Sequence, residues 1–256
     1  MAKIIAVANQ KGGVGKTTTC VNLAAALHLS GERVLLVDMD PQGHSSIGFG
    51  VNKHDGAPTV YDIIINSASA AEVIRKTPYG SLLPASTSLA AAEVELISVE
   101  NRHYILRNAL NSVSENYDYI IIDCPPSLGM LTINSLCAAD SVIVPVDCGF
   151  YALEGLSALT NTMSTIKKSL NPKLDIEGVL LTMFDSRTNL SVQIAQEIKR
   201  FFPKKVFTTT IPRNVRLAEA PSHGKPIMEY DKHSRGAECY MKLAAEICKN
   251  NSEEAL

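Results

Sequence analysis

Residues 9–18 read NQKGGVGKTT and follow the apolar run Ile4-Ile5-Ala6-Val7-Ala8. A strand that ends in a glycine-rich turn, and then passes through Lys-Thr into a helix, is built to cradle phosphate. Gly12, Gly13 and Gly15 carry no side chains, so consecutive backbone N–H groups can turn toward one anion. The helix that opens near Lys16 adds its positive N-terminal end. Lys16 supplies a point charge for β- and γ-phosphates, and the Thr17 hydroxyl suits Mg²⁺.

The loop is also irregular. The ordinary phosphate loop has glycine five residues before the glycine of Gly-Lys-Thr. Here that position is Gln10, and a second lysine, Lys11, precedes the two glycines. A surplus lysine of this kind is either solvated decoration or a charge that points to the phosphates of a second subunit.

Three further stretches belong with the loop: VLLVDMDPQG at 34–43, YIIIDCPPS at 119–127 and IPRNVRLAEAPSHGKPI at 211–227. Asp38 and Asp40 terminate the apolar run at Val34–Val37. A strand places residues two apart on one face, so neither carboxylate belongs in a core without partners. Their place beside the loop suits Mg²⁺ binding, positioning of a water, or capping of the loop that follows. Asp123 ends the run Tyr119–Ile122 and precedes Pro125-Pro126. A buried strand ending in an acid near a phosphate loop ordinarily holds a Mg²⁺-bound water or the loop threonine.

KGGVGKTT, together with these stretches, resembles the deviant Walker A box and its partner motifs in the ParA/MinD ATPases, and the chain is similar to the ParA/Soj partition branch over nearly its whole length. The resemblance implies ATP and Mg²⁺ as ligands. Nucleotide contacts fall on Lys11, Gly12, Gly13, Val14, Gly15, Lys16, Thr17 and Thr18, with Pro212 and Asn214 beside the adenine. It implies Mg²⁺ near Thr17, Asp38 and Asp123, a hydrolytic water oriented by Asp40, and catalytic parts for Lys11 and Lys16. It assigns Arg187 and Arg216 to non-specific duplex DNA. It further implies an ATP-dependent homodimer, with Lys11 of each subunit on the other's phosphates, and a ParB-like centromere-binding partner that stimulates hydrolysis. Two relatives of other habit bound the reading. A membrane-cycling MinD-like ATPase needs a C-terminal helix with basic and bulky apolar faces, whereas this tail reads KNNSEEAL. An iron protein of the nitrogenase type needs two cluster cysteines per subunit, and only Cys124 lies near the site.

The chain has 256 residues, 46% of them hydrophobic, which suffices for one sizeable α/β domain spanning 1–256. Strands are expected at 3–8, 33–37, 81–84, 119–122, 141–146, 176–183 and 206–209. Helices are expected at 16–29, 88–116, 152–169, 190–202 and 235–250. Several strands are unbroken Ile/Val/Leu runs, as strands covered on both faces are. The alternation predicts a doubly wound, mostly parallel sheet with helices on both faces and its ligand at the carboxyl ends of the strands. Residues 43–60 read as a long surface loop, His44 included. The six cysteines lack metal or CxxC spacing and are expected as free thiols. No signal peptide or spanning run is present, so a cytoplasmic location is expected; nucleoid association without membrane contact is what the resemblance implies. The phosphate-loop strand begins at residue 3, and no separate operator-binding domain is expected. The net charge of −2 conceals an asymmetry: residues 187–242 carry 11 Lys/Arg against 5 Asp/Glu. A basic segment of that kind fits a polyanion partner or a solvated charged face.

Overall fold

The computed structural model describes residues 1–51, 56–149 and 152–254. The first half runs β1 (Lys3–Val7), α1 (Lys16–Leu29), β2 (Val34–Asp38), α2 (His44–Gly48), α3 (Val60–Ile64), α4 (Ala70–Val73), β3 (Arg75–Thr77), β4 (Gly80–Leu83), α5 (Leu89–Glu95) and α6 (Ile105–Asn111). The second half runs β5 (Tyr119–Asp123), α7 (Met130–Ala138), β6 (Ser141–Asp147), α8 (Ala152–Ser169), β7 (Asp175–Thr182), α9 (Asn189–Phe201), α10 (Val215–Glu219), α11 (Ile227–Tyr230) and α12 (Arg235–Glu254).

The strands form one sheet in the order β3-β4-β2-β5-β1-β6-β7. Only the β3–β4 pair is antiparallel. The order in which strands are laid down reverses at β1, which lies between β5 and β6 and is parallel to both. That is the doubly wound arrangement, and it brings the carboxyl ends of β1, β2, β5, β6 and β7 to one edge.

The strand sequences explain why both faces are covered. Ile4 and Ala6 of β1, Leu35 and Val37 of β2, and Ile120 and Ile122 of β5 enter one core. Their neighbours Ile5, Val7, Leu36 and Ile121 enter the other, together with α1 and α12. The two-residue period of a strand divides each apolar run between the two layers. Residues Ala237, Tyr240, Leu243, Ala244 and Ile247 of α12 all sit in the second core. The apolar face of that helix is therefore occupied within the chain. Among the described residues, no helix is long and apolar enough to cross a membrane.

Several expectations need correction. The strand expected at 206–209 is a single bridge, Val179 to Val206. The Thr208 and Thr209 amides donate to the Glu246 carboxylate on α12, at 2.6 and 3.0 Å, instead of to a strand. The segment can approach β7 because residue 178 is glycine: a Cβ there would overlap the Phe207 ring. The helix expected over 88–116 breaks after α5. Asn101 takes φ 54°, a left-handed conformation that asparagine tolerates. The loop expected at 43–60 contains α2, so His44 opens a helix, and α3 begins at its end; residues 52–55 of it lie outside the described residues. Helix α7 and edge strand β3 were not expected at all. All six cysteines are free, and five are buried.

Candidate nucleotide site

The loop between β1 and α1 takes the form its glycines allow. Gly13 and Gly15 have φ of 75° and 90°, in the region that side chains disfavour. A Cβ at Gly12 or Gly13 would meet no atom within 4 Å, so the crown of the loop faces open space wide enough for a ligand. From the far edge of the site, the Thr182 hydroxyl at the end of β7 donates to the Val14 carbonyl at 2.8 Å. This buried tie is not visible in the loop's own sequence.

Both lysines of the loop are engaged, in different directions. The Lys16 ammonium lies across its own loop and donates to the Lys11 carbonyl at 3.1 Å. It is 7% exposed. Burial lowers its pKa, and the charges of Asp123, Cys124 and Asp40 oppose that fall. The Lys11 ammonium lies instead on the end of β6, 2.9 and 2.8 Å from the two oxygens of Asp147. The Lys11 N–H donates to Asn9 Oδ1 at 3.0 Å, and the Asn9 amide donates to Pro145 O at 2.8 Å.

The three acids meet beside this loop. Asp38 and Asp123 stand opposite each other in register on β2 and β5, both fully buried. The Asp38 carboxylate is satisfied within the chain. Ser46 donates its N–H and hydroxyl to one oxygen, at 2.8 and 2.7 Å, and the Asp40 N–H reaches the other at 3.2 Å. Asp38 therefore fixes the start of α2. Asp123 Oδ2 accepts from the Ser45 hydroxyl at 2.6 Å. Its Oδ1 is buried without a hydrogen-bond partner among the described residues. Burial raises Asp38 to about 8, and the Asp123 charge adds to the rise. Burial likewise raises Asp123 to about 6, against the pull of the Ser45 and Thr17 hydroxyls. An orphaned carboxylate oxygen next to a threonine hydroxyl is the donor set that Mg²⁺ and its waters fit. Asp40 is nearly buried, and its Oδ1 accepts the Gln42 N–H at 2.9 Å.

A cavity of about 220 Å³ opens between the loop and the 211–218 segment, lined by Gly13, Gly15, Thr18, Thr182, Pro212 and Asn214 among others. The sequence places Pro212 and Asn214 some two hundred residues from the loop, and the fold brings them to it. Asn214 Oδ1 caps α10 by accepting the Arg216 and Leu217 N–H groups, which leaves the amide NH₂ without a partner among the described residues.

The two arginines matched to DNA are exposed and ion-paired. Arg187 forms a fork with Asp185, at 2.9 and 2.8 Å. Arg216 pairs with Glu219 at 2.9 Å and Asp231 at 3.5 Å. Exposed pairs of this kind hold little free energy in water, so a phosphate can displace the acid. The two do not share a cleft. Arg187 instead lines a groove of about 770 Å³ with Arg213 and Arg235, neither of which has an ion-pair partner among the described residues. The sequence reading missed both of these arginines, along with Thr182, Ser45, Ser46 and Asp147. The local charge excess was the only signal for the arginines; Ser46 required the turn of α2 back onto β2, and the others required the sheet order.

Residues 2–176 match the family model described as an AAA domain. The chain is 58% identical over 252 residues to the sporulation initiation inhibitor protein Soj of Bacillus subtilis, covering 98% of this chain and 100% of that one. It is 50% identical over 257 residues to the chromosome partitioning protein ParA of Myxococcus xanthus, covering 100% and 91%. Among solved structures, cobyrinic acid a,c-diamide synthase from Mycobacterium smegmatis with bound ADP and magnesium superposes with a TM-score of 0.84 at 37% identity, covering 96% of this chain and 93% of that one.

Proposed function

The chain belongs to the ParA/Soj family of chromosome-partitioning ATPases, and we propose that it is a nucleotide-gated DNA-binding switch that dimerises on ATP and resets by hydrolysis. The observation that carries this reading is the division of labour between the loop lysines. Lys16 lies over its own cradle, whereas the Lys11 ammonium lies outside it, paired with Asp147 at the end of β6.

ATP would lie with its phosphates on the N–H groups of Gly12 through Thr18 and its base in the cavity by Pro212 and Asn214. Lys16 would leave the Lys11 carbonyl for the phosphates. Thr17 and Asp123 would hold Mg²⁺, with Asp38 behind them fixing the loop. The metal, when bound, neutralises charge on the phosphate oxygens. Asp40 would orient the attacking water. Lys11 of the facing subunit would stabilise charge at the transferred phosphoryl group, as a trans arginine does in other nucleotide hydrolases, where the effect is worth about 10³–10⁵ in rate. ADP and magnesium in the related Mycobacterium smegmatis structure support these ligands.

DNA affinity would follow from dimerisation. One subunit offers few phosphate contacts, and a symmetric pair doubles them. Arg187 and Arg216 would exchange their acids for backbone phosphates, which carry no base information. In the cell such binding would put the protein on the nucleoid, and a ParB-like partner would accelerate hydrolysis. Co-sedimentation with duplex DNA tests the reading: binding with ATP and loss with ADP is the expected result. Equal binding in all nucleotide states would refute the gating.

A further inference from the structure

Lys11 is held at three points. Its N–H donates to Asn9 Oδ1 at 3.0 Å, its carbonyl accepts from Lys16 Nζ at 3.1 Å, and its ammonium sits 2.8–2.9 Å from both oxygens of Asp147. Two of these ties lead to β6, since Asn9 is itself anchored on Pro145 O. The Asp147 pair is half-withdrawn from water, with side-chain exposures of 32% and 22%. It is therefore screened less than the exposed pairs on the arginines.

We infer that Asp147 is the positioning residue that holds Lys11 within its own subunit, and that dimer assembly is an exchange of this carboxylate for a phosphate of the partner's nucleotide. This rests on the reading that Lys11 acts between subunits. An ammonium is a compact charge with three donors. A carboxylate and a triphosphate on the same ammonium would repel each other at contact distance, so Asp147 has to release the lysine. Nucleotide binding starts the exchange: when Lys16 turns to the phosphates it leaves the Lys11 carbonyl, and one of the three ties is gone. Two ties then remain, the backbone N–H on Asn9 and the ion pair with Asp147, and only the ion pair holds the ammonium that has to cross between subunits. Asp147 thus keeps the nucleotide-free chain from presenting Lys11, and sets how much ATP is needed to assemble the dimer. Its placement explains why the end of β6 carries an acid on the same edge as the phosphate cradle.

The test is Asp147→Asn, which keeps size and polarity and removes the charge. A surface-to-half-buried ion pair corresponds to roughly a fivefold equilibrium factor. Two such pairs open per dimer, so ATP-driven dimerisation should tighten about 25-fold, followed by light scattering across protein concentration. The affinity of the monomer for a fluorescent ATP analogue should stay within about twofold, because Asp147 contacts neither the loop amides nor Lys16. Asp147→Glu restores a carboxylate and should return dimerisation toward the parent value, a rescue that a purely structural role would not give. Thermal unfolding of each variant verifies that it is folded. Dimerisation of Asp147→Asn equal to or weaker than the parent's, with the parent dimerising normally, overturns the role of Asp147 while leaving the dimer intact. A parent that stays monomeric with ATP overturns the dimer reading, and this inference with it.

Discussion

Replacing Thr182 by valine isolates a bond that joins the far end of the sheet to the phosphate loop. The two side chains have nearly the same shape, so packing at the end of β7 is kept. What is lost is the 2.8 Å hydrogen bond from the hydroxyl to Val14 O. Thr182 is 2% exposed and Val14 1% exposed, so water does not readily replace the donor. A buried carbonyl left unpaired costs about 1–3 kcal/mol. For a chain of this size that corresponds to a fall in Tm of roughly 2–12 °C, at about 2–4 °C per kcal/mol. The loop crown would also lose its fixed geometry, so ATP affinity should drop in parallel. Differential scanning calorimetry of the nucleotide-free protein and titration with a fluorescent ATP analogue read the two effects. An unchanged Tm together with unchanged ATP affinity would refute the argument that β7 holds the loop in its binding form.

Lys16→Ala should weaken ATP binding on the order of 10²-fold, as loss of two charge-assisted hydrogen bonds implies; undiminished analogue affinity would show that another group neutralises the phosphates. Asp40→Ala should retain ATP binding and lower turnover by about 10²–10⁴-fold, so that a dimer persists on size exclusion with ATP; a monomer with parental turnover contradicts the water-positioning role. Arg187→Ala and Arg216→Ala should each weaken binding to unrelated duplexes equally and make the salt slope of a dimer shallower by roughly 1.8, without altering dimerisation. Parental DNA affinity at several salt concentrations in both variants would leave the basic segment as solvated surface. With Asp38 raised to about 8 and Asp123 to about 6, the folded chain keeps protons that the unfolded chain releases near pH 4. The contribution of these acids to stability is therefore lost as pH rises from about 4 through their folded values. The Tm of the nucleotide-free protein should carry a downward component over that range that Asp38→Asn reduces, and a variant with the parental pH profile would contradict it.

The sequence showed most of the sheet because its strands are buried on both faces and read as unbroken apolar runs. It showed the phosphate loop because glycine spacing and lysine placement are local. It concealed helix α7, whose first amides are capped not by a neighbour but by Glu93, which accepts from Met130 N at 2.6 Å and Leu131 N at 3.4 Å. It suggested a strand at 206–209 from β-branched residues, but their amides are taken by Glu246 on the last helix. Within the site, Asp40, Asp123 and both lysines were legible as motif residues. Ser45 on Asp123, Asp147 on Lys11 and Thr182 on Val14 O were not, because each meets its target only through the order in which the strands are laid side by side, and Ser46 was not because its bond to Asp38 depends on α2 turning back over the end of β2.

The measurement that bears most directly on the account is the mass of the protein in solution with ATP, in an Asp40→Ala background that prevents turnover, compared with the same chain carrying Lys11→Ala as well. The account predicts twice the chain mass for the first and the mass of one chain, with ATP still bound, for the second. Dimerisation of equal strength in the two would contradict the claim that Lys11 acts between subunits.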